Sequence, residues 1–208
     1  MVTSNPSLPV LSPSGYYTNG AAHATYTMPG VTINLTNLGF LALSPMVPTP
    51  SGSDELEAFN AMLLGDGSVF GLAHLTYAGS GSGTMITHNK IGNTTGTFST
   101  ELLSLNLSGS TAFGPLLIRE SPTLASLGQT SIIALGGGQF QISSFFDVFT
   151  ELSIDGGATW VPDSSGPERI TLMGPVPEPS AYALAGLAAG LLALKRARWF
   201  GKKTVIQD

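Results

Sequence analysis

Before Pro175, apolar and polar residues alternate over long stretches of the chain. In "TFSTELLSLNLSG", Thr97 to Gly109, Leu103, Leu105 and Leu107 recur at every second position, which is the period of a strand with one buried face. "VTINLTNLGFLAL", Val31 to Leu43, is rich in β-branched and apolar residues, and "FQISSFFDVFTELSIDGG", Phe140 to Gly157, continues the pattern. "DELEAFNAMLLGDG", Asp54 to Gly67, is long enough for one short helix, but Phe59, Ala61 and Leu63 alternate and the segment is predicted as strand. "GSGSG", "GNTTG" and "LGGGQ" read as turns between such runs. Several short strands with this punctuation predict an all-β fold, a β-sandwich or jelly-roll-like body. No segment repeats at a fixed period, which argues against a propeller or a solenoid.

The pattern changes at the C-terminal end. Ala181 to Leu194, "AYALAGLAAGLLAL", carries no charge and is apolar around its whole circumference, which fits lipid better than the surface of a domain. Its fourteen residues fall short of the roughly 20 that span a hydrocarbon core. Snorkelling by Lys195, Arg196 and Arg198, with Tyr182 and Trp199 as interface residues, extends it. One C-terminal transmembrane helix is therefore predicted over 181–200, with Ser180 as its cap. The basic cluster acts as a stop-transfer signal that keeps the C-terminus in the cytoplasm and the body outside. The expected organisation is an exported β-rich domain over 1–172, a Pro-rich linker over 173–180, the helix, and a cytoplasmic basic tail over 201–208.

Composition sharpens this picture. Of the 208 residues only 10% are charged, against about 25% in ordinary soluble domains, while Gly (26) and Pro (14) are abundant. With no cysteine, disulfides and thiolate chemistry are excluded and packing alone must hold the fold. Eleven acidic residues precede Val176 against three basic ones (Lys90, Arg119, Arg169), and five basic residues follow it. An acidic body lacks the clustered Lys and Arg that phosphate binding needs, so nucleic acid is excluded as a partner.

Pro175, Pro177 and Pro179 hold "GPVPEPS" extended. "VPEP" at Val176, Pro177, Glu178 and Pro179, followed by an apolar span and then "KRAR", resembles the PEP-CTERM sorting signal of bacterial exported proteins. The resemblance covers about the last thirty residues. It implies recognition of Pro177-Glu178-Pro179 by exosortase, a membrane-embedded cysteine transpeptidase or protease, and places the mature protein at the cell surface or in the extracellular matrix. Members of that family also carry an N-terminal secretory signal. "MVTSNPSLPVLSPSG" has neither a basic n-region nor an apolar core, as expected of a chain whose true start lies upstream or of a fragment. The stretch from "GTFSTELLSLNLSG" through "ISSFFDVFTELSIDGGATWVP" is similar to body segments of many PEP-CTERM proteins and assigns no activity. "SIDGGATW", Ser153 to Trp160, resembles the Asp-box hairpin of sialidase-like propellers. A single copy implies a structural turn: Asp155 accepts turn amides, Gly156 and Gly157 permit positive φ, and Trp160 is expected to be buried beneath.

Catalytic chemistry is not evident. His23, His74 and His88 form no metal-ligand spacing, no nucleophile elbow or phosphate loop is present, and "GSGSGT" reads as a flexible loop. Asp54, Glu55 and Glu57 cluster in sequence. Asp147 and Glu151 on one strand stand about 13 Å apart, too far for a glycosidase pair. Acidic side chains here are read as solvating the surface or binding Ca²⁺ loosely. No catalytic residue, resident metal or cofactor is expected, and the chain is read as a substrate of processing, not an enzyme. Two other readings are kept: a carbohydrate-binding module holding extracellular polysaccharide, with Tyr16, Tyr17, Tyr26 and Tyr77 as an exposed aromatic strip, and a glycan hydrolase with converging carboxylates. The expected partners are an exosortase-like enzyme, the membrane and, on the second reading, the polysaccharide.

Overall fold

Alternation at period two makes strands of about three-quarters of the residues described in the computed structural model, which are 1–8, 16–18, 23–45, 48–71, 73–112 and 114–174. These belong to the first of two compact units, Met1–Val176, the second being Pro177–Asp208. In chain order the strands are β1 (Val2–Thr3), β2 (Tyr16–Thr18), β3 (His23–Met28), β4 (Val31–Pro45), β5 (Thr49–Ser51), β6 (Asp54–Val69) and β7 (Ala73–Thr87). They continue with β8 (Gly96–Thr111), β9 (Gly114–Glu120), β10 (Ser126–Gly136), β11 (Gln139–Val148), β12 (Thr150–Ser153), β13 (Val161–Pro162) and β14 (Glu168–Met173).

The expected sandwich or jelly-roll is replaced by a closed eight-stranded barrel. Pairing runs β2–β4–β6–β7–β8–β10–β11–β14 and returns from β14 to β2 through Thr171↔Thr18 and Met173↔Tyr16. Each neighbour is also the next full-length segment of the chain and all these pairs are antiparallel, so this is an up-and-down barrel. β4, β6, β7 and β8, of 15 or 16 residues each, are continuous. The other four staves are each broken in two. β10 pairs the first half of β8, from Ser126↔Leu102 to Ile132↔Gly96, and β9 pairs the second half, from Asn106↔Arg119 to Thr111↔Gly114. β11/β12, β13/β14 and β2/β3 are divided in the same way, with β12 on β9, β13 on β12 and β3 on β4. Beside β3 the ring is held by Ser164 N–H donating to Thr25 O (2.8 Å) and Thr25 N–H donating to Asp163 Oδ1 (2.8 Å).

Strand alternation has the same period in a sandwich and in a barrel, so it could not decide between them. The difference lies in the long-range pairing of β14 with β2, which no local pattern encodes. The described residues contain no helix, and so none long and apolar enough to cross a membrane. The span predicted over 181–200 lies outside the described residues.

Eight strands enclose a space that side chains can fill. The inward set includes Tyr17, Phe40, Phe59, Tyr77, Leu105, Ile118 and Phe146, all buried. The intervening positions on β7 and β8, such as Thr76, Ser80, Ser82, Ser99 and Asn106, face solvent. This is the reverse of a membrane-spanning barrel, whose lipid-facing wall is apolar and whose lumen is polar. The rings meet edge to face: Tyr17 with Phe146 at 5.8 Å between centroids and Phe40 with Phe59 at 5.9 Å.

"GSGSG", expected to be a turn, is the middle of β7. Gly79 pairs with both Leu63 and Gly109, and Gly83 with Phe59. The reason is spatial. A Cβ on Gly79 would overlap the Tyr77 phenol ring, and one on Gly83 would stand 2.6 Å from the Phe59 ring. Glycine here makes room for aromatic side chains. "LGGGQ", by contrast, is a turn between β10 and β11, with Gly137 and Gly138 at positive φ (60° and 74°). The strand prediction for Asp54 to Gly67 agrees with β6.

Gly79→Ala is expected to destabilise the barrel by about 1–3 kcal/mol through overpacking against Tyr77, whereas Ser80→Ala, on the exposed face, changes little. Urea midpoints of the two variants test this. Equal, negligible shifts would restore the loop reading of "GSGSG".

Candidate functional site

Two parts of the chain have functional content: the barrel, whose side chains are described, and the segment C-terminal to β14. Among the described residues, the tyrosines expected to make an exposed aromatic strip do not form one, Tyr16 being half-buried. Tyr17, Tyr26 and Tyr77 are 2%, 1% and 0% exposed, because strand parity turns each of them inward. Tyr17 Oη donates to Ser144 Oγ (3.2 Å), and the Tyr26 and Thr150 hydroxyls are hydrogen-bonded at 2.6 Å. Burial raises the Tyr17 phenol to about 12 despite its bond to Ser144 and pushes Tyr26 still higher. Around these rings lies a cavity of about 60 Å³, bounded by Phe40, Phe59, Leu63, Met85 and Phe146 among others.

The carboxylates considered from sequence are engaged in separate structural roles. Asp147 takes both arms of Arg169, its cross-strand partner (Nε–Oδ1 2.7 Å, Nη2–Oδ2 2.6 Å), and the Arg169 guanidinium lies 4.3 Å from the Phe145 ring centroid. Glu151 Oε2 takes Nε (2.9 Å) and Nη2 (2.6 Å) of Arg119, which stacks on Trp160 at 4.1 Å. Hydrogen bonding to Arg169 holds the Asp147 carboxyl below its usual range. Asp54 accepts the Asn89 amide (2.8 Å) and lies 2.8 Å from His88 Nδ1, and these bonds, the amide foremost, lower its carboxyl too. His23 and His74 are exposed. Among the described residues no three His, Asp or Glu side chains are grouped to hold a metal ion.

The "SIDGGATW" turn joins β12 to β13, which pair through Leu152↔Val161. Asp155 organises it. Its Oδ1 accepts Ser153 Oγ–H (2.7 Å) and Thr159 N–H (2.9 Å), and its Oδ2 accepts the Thr159 hydroxyl (2.5 Å). These bonds, that of the Thr159 hydroxyl first, bring its carboxyl down to about 2. Gly156 and Gly157 have φ of 73° and 93°. Trp160 differs from expectation: it is half-buried, its Nε1–H donates to Gly157 O (3.0 Å), and Arg119 covers its face. On so short a hairpin its ring packs across the outside of the wall.

Three buried carboxyls, Glu57, Glu120 and Glu168, were not singled out as buried from sequence. Parity would have found them: Glu57 shares the inward face of Phe59 and Ala61, and Glu120 that of Leu116 and Ile118. Burial, with Glu55 adding to it against the pull of Lys90, raises Glu57 to about 8. Burial likewise raises Glu120 to about 7, opposed by the Ser126 hydroxyl. Glu120 lies where two staves break. Its Oε1 accepts Ser126 Oγ–H (3.2 Å), Ser126 Oγ accepts Phe149 N–H (3.1 Å), and Phe149 O accepts Ser121 N–H (2.8 Å).

The described residues thus define a closed antiparallel barrel with an apolar interior and tied surface carboxylates. Directly after it in the chain stands a sorting signal. Residues 175–198 match the PEP-CTERM protein-sorting motif, so the chain carries the signal of an exported protein sorted by exosortase, a membrane enzyme. No curated protein and no solved structure matches the chain. Val176, Pro177, Glu178 and Pro179, and the basic Lys195, Arg196 and Arg198, lie outside the described residues.

Two measurements test the roles of these buried groups. An exposed glutamate titrates near 4.5. Below that pH the folded and unfolded chains are both protonated, and the full stability from neutral, buried Glu57 and Glu120 is present. It is lost as pH rises through about 7 and 8, each tenfold difference in proton affinity between the folded and unfolded chain being worth about 1.4 kcal/mol. The denaturant midpoint is expected to be higher at pH 5 than at pH 8.5, and Glu57→Gln is expected to flatten that slope. Trp160→Ala is expected to cost about 1–2 kcal/mol, the worth of a half-buried ring and one cation–π contact, below the roughly 3–5 kcal/mol of a core aromatic.

Proposed function

We propose that this chain is a cell-surface or extracellular-matrix protein whose barrel is the cargo of its sorting signal and catalyses no reaction. The observation that carries this reading is the position of the signal: it matches from residue 175, directly after β14 ends at Met173. The barrel and the recognition tripeptide are thus consecutive in sequence, and processing at Pro177-Glu178-Pro179 would leave the barrel whole. The surface carboxylates support the non-catalytic half. Asp54, Asp147 and Glu151 are each hydrogen-bonded into a turn or a cross-strand Arg pair, and general acid–base work needs a group free to meet its substrate.

In a host with the processing enzyme, replacing Pro177, Glu178 and Pro179 with alanine is expected to leave the barrel folded and block maturation, seen by mass spectrometry as retention of the full tail. Neutralising Lys195, Arg196 and Arg198 is expected to leave the tripeptide competent while changing protease accessibility of the C-terminus, since positive charge biases orientation at a membrane. Normal maturation of the alanine variant would overturn the delivery reading. The non-catalytic reading is checked by screening the purified chain on esters, glycosides and peptides; turnover abolished by a single Asp or Glu substitution would overturn it.

A further inference from the structure

The barrel interior is not filled to its walls. An apolar cavity of about 150 Å³ takes benzene, and on that scale the cavity of about 60 Å³ has room for about two or three heavy atoms. Its wall is built from the edges and faces of Tyr17, Phe40, Phe59 and Phe146, with Leu63 and Met85. An interior water needs two to four polar partners, and this wall is mainly apolar, with Tyr17, Tyr26, Thr150 and Glu168 as its polar residues. The Tyr17 hydroxyl is bonded to Ser144, the Tyr26 and Thr150 hydroxyls bond each other, and Glu168 is not without a partner. A void of this kind forfeits dispersion contacts along its whole lining, and an apolar guest would restore them at no desolvation cost to a polar group.

The wall is also divided at this level. Leu38, Thr150 and Glu168 all line the cavity, and all three stand where the ladders are interrupted. Leu38 falls in the register shift of β4 between Thr36 and Gly39, Thr150 follows the break at Phe149, and Glu168 is the first residue of β14. Met85 adds a flexible side chain to the wall, of the kind that adapts its shape to a guest.

From the volume and the mainly apolar lining, we infer that the barrel interior is a binding site for a compact, uncharged hydrocarbon of about two or three heavy atoms. This goes beyond the delivery reading and stands independently of it, because it concerns the barrel before any processing.

The test uses the full-length chain with labelled methyl groups, titrated with xenon and with cyclopropane. The expected result is saturable shifts at the methyls of Leu63, Met85, Leu105, Ile118 and Val148, with a rise in Tm. Leu63→Phe, which fills the space, is expected to weaken both guests at least tenfold. Leu105→Ala, which enlarges it, is expected to extend binding to benzene, so the inference remains testable if the Phe variant does not fold. Shifts that do not saturate or that spread over surface methyls, contacts from these interior methyls to a long-lived water, or a Leu105→Ala variant that takes no benzene would each overturn it.

Discussion

The fixed girth of an eight-strand barrel governs the rest of the molecule. Once β14 pairs with β2, every inward side chain must share one enclosed volume. Tyr77, Phe59, Tyr17 and Phe146 are too large to be stacked at every level. Their size is offset by Gly79 on the same strand as Tyr77 and by Gly83 and Gly109 on neighbouring strands, whose added Cβ atoms would collide with the rings of Tyr77 and Phe59. Large and small residues are therefore complementary within and between adjacent strands. The cavity beside Phe40 and Met85 is the part of that volume which the complementarity leaves unfilled.

The same closure explains the broken staves. Four strands run the full height, and the other four are each divided into two strands, three of them at 121–125, at Phe149 and at 163–167, the fourth into β2 and β3. Interrupted ladders leave buried backbone groups that need partners. Where the β9/β10 and β11/β12 breaks meet, Ser126 supplies one, its Oγ accepting the Phe149 amide while its hydroxyl donates to Glu120. On the outer wall, Arg119–Glu151 and Arg169–Asp147 tie adjacent staves on either side of Phe149, each with its guanidinium laid on an aromatic ring. Carboxylates that look available in the sequence are the fastenings of the wall.

Such a barrel suits an exported protein. With no cysteine, its stability comes from a closed sheet without free long edges and from a packed interior. Its surface carries Ser, Thr and Asn in place of many charges. The PEP-CTERM signal over 175–198 comes after this unit in the chain, so delivery and folding are assigned to separate stretches of sequence.

What the sequence by itself determined is everything that depends on local spacing. Alternation identified the strands, including Asp54 to Gly67; "LGGGQ" and "SIDGGATW" declared their turns, because positive φ and short polar side chains act within a few residues; and the sorting signal is linear. What only the tertiary structure decided depends on partners far apart in sequence. The barrel in place of a sandwich rests on Thr171 meeting Thr18. The burial of Tyr17, Tyr26 and Tyr77, which removes the expected binding strip, results from which strand face closes inward. "GSGSG" was read as a loop because glycine's freedom is visible locally, whereas the Tyr77 and Phe59 rings that require its missing side chains take up their positions only when the sheet curls shut.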